Sequence, residues 1–198
     1  YGENFRFERA SGKWMKWGVG VWKRDADLEA AFTTKEVARS FALNADNTGD
    51  ADMAEALRKH SSKSEAKARR DAMLALAQQE TGVAVDPADL DTDPWILNVR
   101  NGTVALKTGK LRKADRSDLA TKQSPVDYDE NAQCPVFDAF LESSLPDVEV
   151  RGWLMRYRGY AITGVVQEHI FPVLWGLVGR NGKGTLIETV FGVLGDLA

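Results

Sequence analysis

The sequence predicts an α+β chain in which small aromatic-rich β elements with helices precede a single α/β strand–loop–helix unit. Three observations carry this. Residues 1–25 alternate aromatic and β-branched side chains around glycines, residues 27–80 space apolar side chains three and four apart, and residues 173–194 pass from an apolar run through a glycine-rich loop into a periodic helix.

In chain order, Phe5 and Phe7 flank Arg6, Ser11-Gly12-Lys13 reads as a turn, and Trp14–Trp17 and Val19–Trp22 read as strands. These rings read as the core of a small sheet rather than as a stacking platform for single-stranded bases. Leu28, Ala31, Phe32, Val37, Phe41 and Ala42 predict a helix, residues 44–50 a loop, and residues 51–60 and 64–80 two further helices. In the last of these, Ala66, Met73, Leu74 and Ala77 form the apolar stripe, and Thr81-Gly82 ends it. After a proline-bearing connector, residues 86–94, Trp95–Val99 predicts a strand, Asn101-Gly102 a type I′ turn, and Thr103–Leu106 its return. Thr108-Gly109 is a second turn; Lys107, Lys110, Arg112 and Lys113 make this hairpin a charged, aggregation-resistant edge. Pro135 opens a helix with Phe137, Phe140 and Leu141 on one face, and residues 150–160 form another with Trp153, Leu154 and Tyr157.

Composition narrows the function. The chain has 198 residues, 43% of them hydrophobic, enough for a buried core. With 26 Lys+Arg against 29 Asp+Glu, the net charge of -3 excludes a histone-like polycation but not a local basic face. Lys63, Lys67, Arg69 and Arg70 form such a candidate face for a nucleic-acid backbone, although a charge run on a helix is more often a solvated surface. Cys134 is the sole cysteine, which excludes a disulfide framework and a cysteine-rich zinc site, and His60 and His169, the only histidines, lie far apart in the sequence, which argues against a histidine metal centre. No apolar run approaches the ~20 residues that span a bilayer, and residues 1–4 carry neither the basic nor the apolar part of a signal peptide. A soluble, cytoplasmic protein without a membrane partner is expected. The first residue is not Met, so a fragment is expected.

The sharpest chemistry lies in residues 173–194. Val173-Leu174-Trp175 predicts a strand, Gly176–Thr185 a loop, and Leu186, Ile187, Val190, Phe191, Val193 and Leu194 a helix that Gly195 ends. This is the layout of a phosphate-binding loop. Glycines let successive N–H groups turn inward onto an anion, and a helix N-terminus adds free donors and the positive end of its dipole. The candidate nucleotide-binding residues are Gly179, Asn181, Gly182, Lys183, Gly184 and Thr185, with Lys183 on the β- and γ-phosphates. The standard G-x-x-x-x-G-K-[ST] pattern is broken by Leu177 and by Gly184. Gly-Lys-Gly-Thr resembles the loop of nucleoside monophosphate kinases, and Thr185 becomes the nearest hydroxyl for a magnesium ion.

The segment Gly179-Arg180-Asn181-Gly182-Lys183-Gly184-Thr185 also resembles the P-loop of the phage and plasmid primase–helicases, superfamily 3 helicases related to the poxvirus primase–helicase. The likeness extends upstream. Trp14-Met15-Lys16-Trp17 with Trp22 and Asp25 is similar to the family's N-terminal tryptophan stretch. Asp93–Asn98, Asn101-Gly102 and Leu106–Leu111 are similar to its central D-P-x-x-L-N-x-x-N-G block, Ala105 standing where the family has Asp. Tyr128-Asp129, Cys134-Pro135, Phe140-Leu141, Arg158-Gly159-Tyr160 and Thr163-Gly164 continue it.

The resemblance implies an accessory domain over 1–165 and the start of an ATPase motor over 166–198. It implies ATP and magnesium as cofactors, DNA (single-stranded or forked) as partner, self-association into a ring in the full-length protein, and work in phage or plasmid replication in the bacterial host cytoplasm. The family's acidic strand end, polar sensor and arginine follow the P-loop, and its primase site lies upstream. The expectation is therefore a truncated motor with no catalytic residues of its own, inactive alone. A non-catalytic DNA- or subunit-docking module is the alternative; a small-molecule kinase is disfavoured because its loop usually lies near the N-terminus.

Overall fold

The structure is a computed structural model that describes residues 2–176, 179 and 181–197. Contacts divide the chain into two compact units, Tyr1–Gly18 with Trp22–Leu90, and Val19–Val21 with Asp91–Ala198.

The first unit is a four-stranded sheet with helices. Strands β1 (Phe5–Glu8), β2 (Lys13–Gly18) and β3 (Val21–Arg24) come first, then helices α1 (Glu29–Asp46), α2 (Ala51–Ser64) and α3 (Lys67–Ala77), then the short strand β4 (Ala84–Val85). The sheet order is β3-β2-β1-β4. β1 runs antiparallel to β2, placing Phe7 opposite Trp14, and parallel to β4. Phe7 and Trp14 meet edge-on with centroids 5.3 Å apart, and Phe5 meets Trp14 at 6.5 Å. Phe5, Trp14, Ala30, Thr34, Met73 and Val83 line a small, partly open pocket. Trp22 is wholly buried. The aromatic cluster is core, as its alternation predicts.

Helix α1 appears where expected, but its buried face differs. Ala30, Thr34, Ala38 and Ala45 are inside, whereas Leu28, Phe32 and Leu43 are exposed. Ala30 and Thr34 stand beside Phe5 and Trp14 of the sheet and Met73, Leu74 and Ala77 of α3, so small residues face inward and the larger side chains point outward. The Asp25 carboxylate caps α1 from four residues upstream, accepting from Glu29 N–H and Ala30 N–H at 2.9 Å each. The loop expected at 44–50 shrinks because α1 runs on to Asp46. Asp50 then caps α2 through Asp52 N–H and Met53 N–H.

In the second unit, strands β5 (Ile96–Val99), β6 (Gly102–Ala105) and β7 (Lys110–Arg112) form an antiparallel sheet in that order. Val99 pairs with Gly102, so Arg100 and Asn101 are the central turn residues. Neither has a positive φ, which corrects the type I′ turn expected at Asn101-Gly102. Two contacts explain the shift. The Asn101 side chain clasps the Tyr128 backbone, donating to its carbonyl and accepting its N–H at 2.9 Å each. Gly102 is required where it stands because a Cβ there would lie 2.3 Å from the Arg112 carbonyl oxygen.

Beneath the sheet is a buried polar set. Asn98 Oδ1 accepts from Thr103 Oγ1 at 2.8 Å, and Asn98 Nδ2 donates to the Gly20 carbonyl at 2.8 Å. Ser124 N–H donates to the Asn98 carbonyl, and Ser124 Oγ to the carbonyl of Val193. Helices α4 (Pro135–Ser144), α5 (Val148–Ala161) and α6 (Lys183–Leu194) complete the unit. Leu141, Leu154 and Leu186, one from each helix, form its buried apolar core with Phe137, Phe140, Leu145 and Leu174 packed around them. Asp147 caps α5, and Gly195 ends α6.

Residues 173–175 do not form the expected strand. Their exposure alternates as a strand's would: Phe171, Val173 and Trp175 are open to solvent while Pro172 and Leu174 are half-buried. A strand exists by pairing, and no described residue pairs with this segment.

Candidate functional site

The glycine loop leads into α6, which begins at Lys183, with Gly182 as its N-cap at φ 80° and ψ -2°. That left-handed geometry costs an L-residue about 1–2 kcal/mol and glycine almost nothing. It turns the chain so that the first, unpaired N–H groups of α6 face out of the helix end. Leu186 N–H is bonded to the Gly182 carbonyl at 3.0 Å. Lys183 Nζ donates to Asn181 Oδ1 at 2.6 Å, which holds the ammonium over the loop. Beside Gly184 there is open space where a side chain would stand.

These residues border a polar cleft of about 870 Å³. Gly179, Asn181, Gly182, Lys183, Gly184 and Thr185 all line it, so the structure brings together the six candidate nucleotide-binding residues. Leu177, Val178 and Arg180 of the loop lie outside the described residues. A more apolar cleft of about 470 Å³ shares the Asn181–Lys183 edge and continues past Trp153 and Trp175.

The opposite wall of the polar cleft comes from α4, through Phe140, Ser143 and Ser144. The sequence reading places Phe140 on an apolar helix face and gives Ser144 no role. No local signal links them to a loop nearly 40 positions downstream. Near this wall, Arg158 on α5 lies 5.0 Å over the Phe137 ring with no carboxylate partner among the described residues. Burial lowers its pKa from the ordinary value.

The residues present suit a magnesium-bound nucleoside triphosphate. Lys183 supplies a cation, the α6 N-terminus supplies free donors, and Thr185 presents a hydroxyl on the same cleft. No cluster of three metal-ligating side chains exists among the described residues, so any cation here would rest largely on the nucleotide's own oxygens.

The basic set is divided by the fold. Lys63 closes α2, while Lys67, Arg69 and Arg70 lie on α3 after a break at Glu65-Ala66. Lys63, Lys67 and Arg69 are exposed and have no acidic partner among the described residues. Arg70 is half-buried, and its Nε lacks a partner. The neighbouring cations are engaged, Arg58 with Asp46 and Arg39 with Glu65. The four therefore do not make one helix face.

Comparison with known proteins places the fold in a family. The D5 N terminal like family matches residues 1–146, and the chain belongs to it. This bears out the resemblance to the poxvirus-primase-like N-terminal region. The chain is also 31% identical over 113 residues to a protein described as "Putative primase" in African swine fever virus, isolate Tick/Malawi/Lil 20-1/1983. Its counterpart in isolate Warthog/Namibia/Wart80/1980 matches at the same identity. The match covers 54% of this chain but only 12% of either viral protein. The family match ends before the glycine loop. No helix is long and apolar enough to cross a membrane among the described residues.

Proposed function

We propose that this chain is part of a nucleoside-triphosphate-driven replication protein of the primase–helicase kind, and that it carries the site where ATP is held. One observation supports this best. Lys183 and the free N–H groups of α6 face a polar cleft bordered by three loop glycines. Lys183 binds the β- and γ-phosphates, the backbone of 182–184 cradles them, and Thr185 reaches the magnesium ion. A magnesium ion held there by Thr185 and the nucleotide's oxygens would supply charge neutralisation for phosphoryl transfer. Asn181 holds Lys183 until phosphate displaces it. The parent protein would hydrolyse ATP to move along single-stranded or forked DNA as a ring of identical subunits, in the cytoplasm of a bacterial host.

The test is binding of ATP and of inorganic tripolyphosphate, with magnesium, to this chain and to Lys183→Ala. The reading expects both ligands to bind and both to weaken at least tenfold in the variant. Equal binding by the two proteins removes the phosphate cup from the account.

The docking-module reading has its own support in Lys63, Lys67 and Arg69, exposed without acidic partners among the described residues. It expects salt-dependent binding of single-stranded DNA that does not require Lys183.

A further inference from the structure

The glycine loop is only half of the polar cleft; the other half is the C-terminal turn of α4. Four observations bear on what that turn does. A Cβ on Gly182 would stand 2.7 Å from Ser144 Oγ and 2.8 Å from Phe140 Cε2, so α4 touches the loop at the residue that starts α6. Ser144 lines both the polar cleft and the apolar cleft beside it. Ser144 is half-buried, and its hydroxyl has no hydrogen-bond partner among the described residues. The adjacent Ser143 hydroxyl, by contrast, already donates to the Phe140 carbonyl at 2.9 Å.

A half-buried hydroxyl beside an ammonium and a row of free N–H groups is one more donor aimed at the same anion. Phe140 behind it is anchored in the helical core and offers the ligand an apolar floor. We infer that α4 supplies the second wall of the nucleotide site, with Ser144 Oγ donating to a phosphate oxygen of the bound nucleoside triphosphate. Ser144 is a ligand-binding residue there. The inference rests on the reading of 179–185 as a phosphate cup and adds a contact from outside the loop. It also links nucleotide occupancy to α4, and through the shared core to α5.

The test uses the whole chain with ATP and tripolyphosphate as separate probes. Ser144→Ala should weaken both about tenfold, the effect of one hydrogen bond to a charged group. Ser144→Thr, which keeps the hydroxyl, should restore most of the loss, and Val136→Ala, exposed on α4 away from both clefts, should change neither. On the unsubstituted chain, ATP should slow amide hydrogen exchange at 140–145 as well as at 182–186, a readout no substitution can disturb. If Lys183→Ala abolishes binding while Ser144→Ala binds as tightly as the parent and protection stays within 182–186, the cup stands and the α4 wall is overturned. If Lys183→Ala binds as the parent does, or the parent binds neither probe, the cup itself fails and the wall with it.

Discussion

Replacing Gly182 by alanine puts one methyl group where the structure has no room. The backbone there sits at φ 80°, where an L-residue costs about 1–2 kcal/mol. The new Cβ would also meet Ser144 Oγ at 2.7 Å and the Phe140 ring at 2.8 and 3.0 Å. The serine hydroxyl can rotate away; the ring cannot, because it packs against the Leu141–Leu154–Leu186 core. Overpacking of this kind costs about 1–3 kcal/mol, so the start of α6 should lose roughly 2–5 kcal/mol in all. The control is Gly184→Ala. Gly184 lies in the first turn of α6 with a negative φ and nothing within 4 Å of its added Cβ. Alanine there should leave α6 unchanged or stabilise it by about 0.5–1 kcal/mol. Native-state hydrogen exchange at the Leu186 amide, which bonds the Gly182 carbonyl, reads the local opening free energy directly. Equal protection in the two variants would show that neither the left-handed cap nor the α4 contact constrains the loop.

Other substitutions probe separate links. Thr103→Val leaves Asn98 Oδ1 buried without its donor and should destabilise the second unit by about 1–3 kcal/mol in urea unfolding; an unchanged midpoint would show that the oxygen finds another partner. Neutralising Lys63, Lys67 and Arg69 together should reduce the salt slope of any single-stranded DNA binding by about 2, at roughly 0.7 per cation; an unchanged slope removes these residues as a DNA contact. Asp115 accepts hydrogen bonds from the Ser117 hydroxyl at 2.7 Å and the Ser117 N–H at 2.8 Å, and these hold its carboxyl below the usual 3.8. A carboxyl lowered by folding stabilises above its unfolded pKa and loses that contribution as the pH falls through the folded one. Asp115→Asn should therefore melt below the parent at neutral pH, and the gap should close below about pH 4; a gap that persists in acid would contradict the assignment.

How far the sequence carries the fold depends on which partner each residue meets. The aromatic and β-branched runs located β1 and β2, whereas β3 begins two residues later than the expected Val19–Trp22, because Val19 and Gly20 form a turn at φ 52° and 82°. Helix α1 was found in position but not in phase, since its inner face is built from Ala30, Thr34, Ala38 and Ala45. Their contribution comes from how closely they admit the sheet and α3, a property of packed elements that one helix's sequence does not contain. The turn at Arg100-Asn101 shifted for a similar reason: Asn101 is taken by Tyr128, 27 positions away.

The candidate site divides along the same line. Residues 179–185 are legible because glycines, a lysine and a helix start must be consecutive for the backbone to fold around an anion. Ser144 and Phe140 are not, because what makes them significant is their contact with Gly182, and no local pattern encodes a contact between distant positions. The run 171–175 lies between these cases. Its alternation is fully legible, and the structure preserves it as three outward-facing large side chains, Phe171, Val173 and Trp175, more than 70% exposed. Apolar residues so arranged on an unpaired extended segment fit a strand that is completed by pairing and covered on its open face. The chemistry follows the same division: the cup can hold an anion with the consecutive groups of the loop, and the Glu188 carboxylate also lines the cleft. Tripolyphosphate affinity, which depends on the loop amides and Lys183, is therefore the measurement that discriminates.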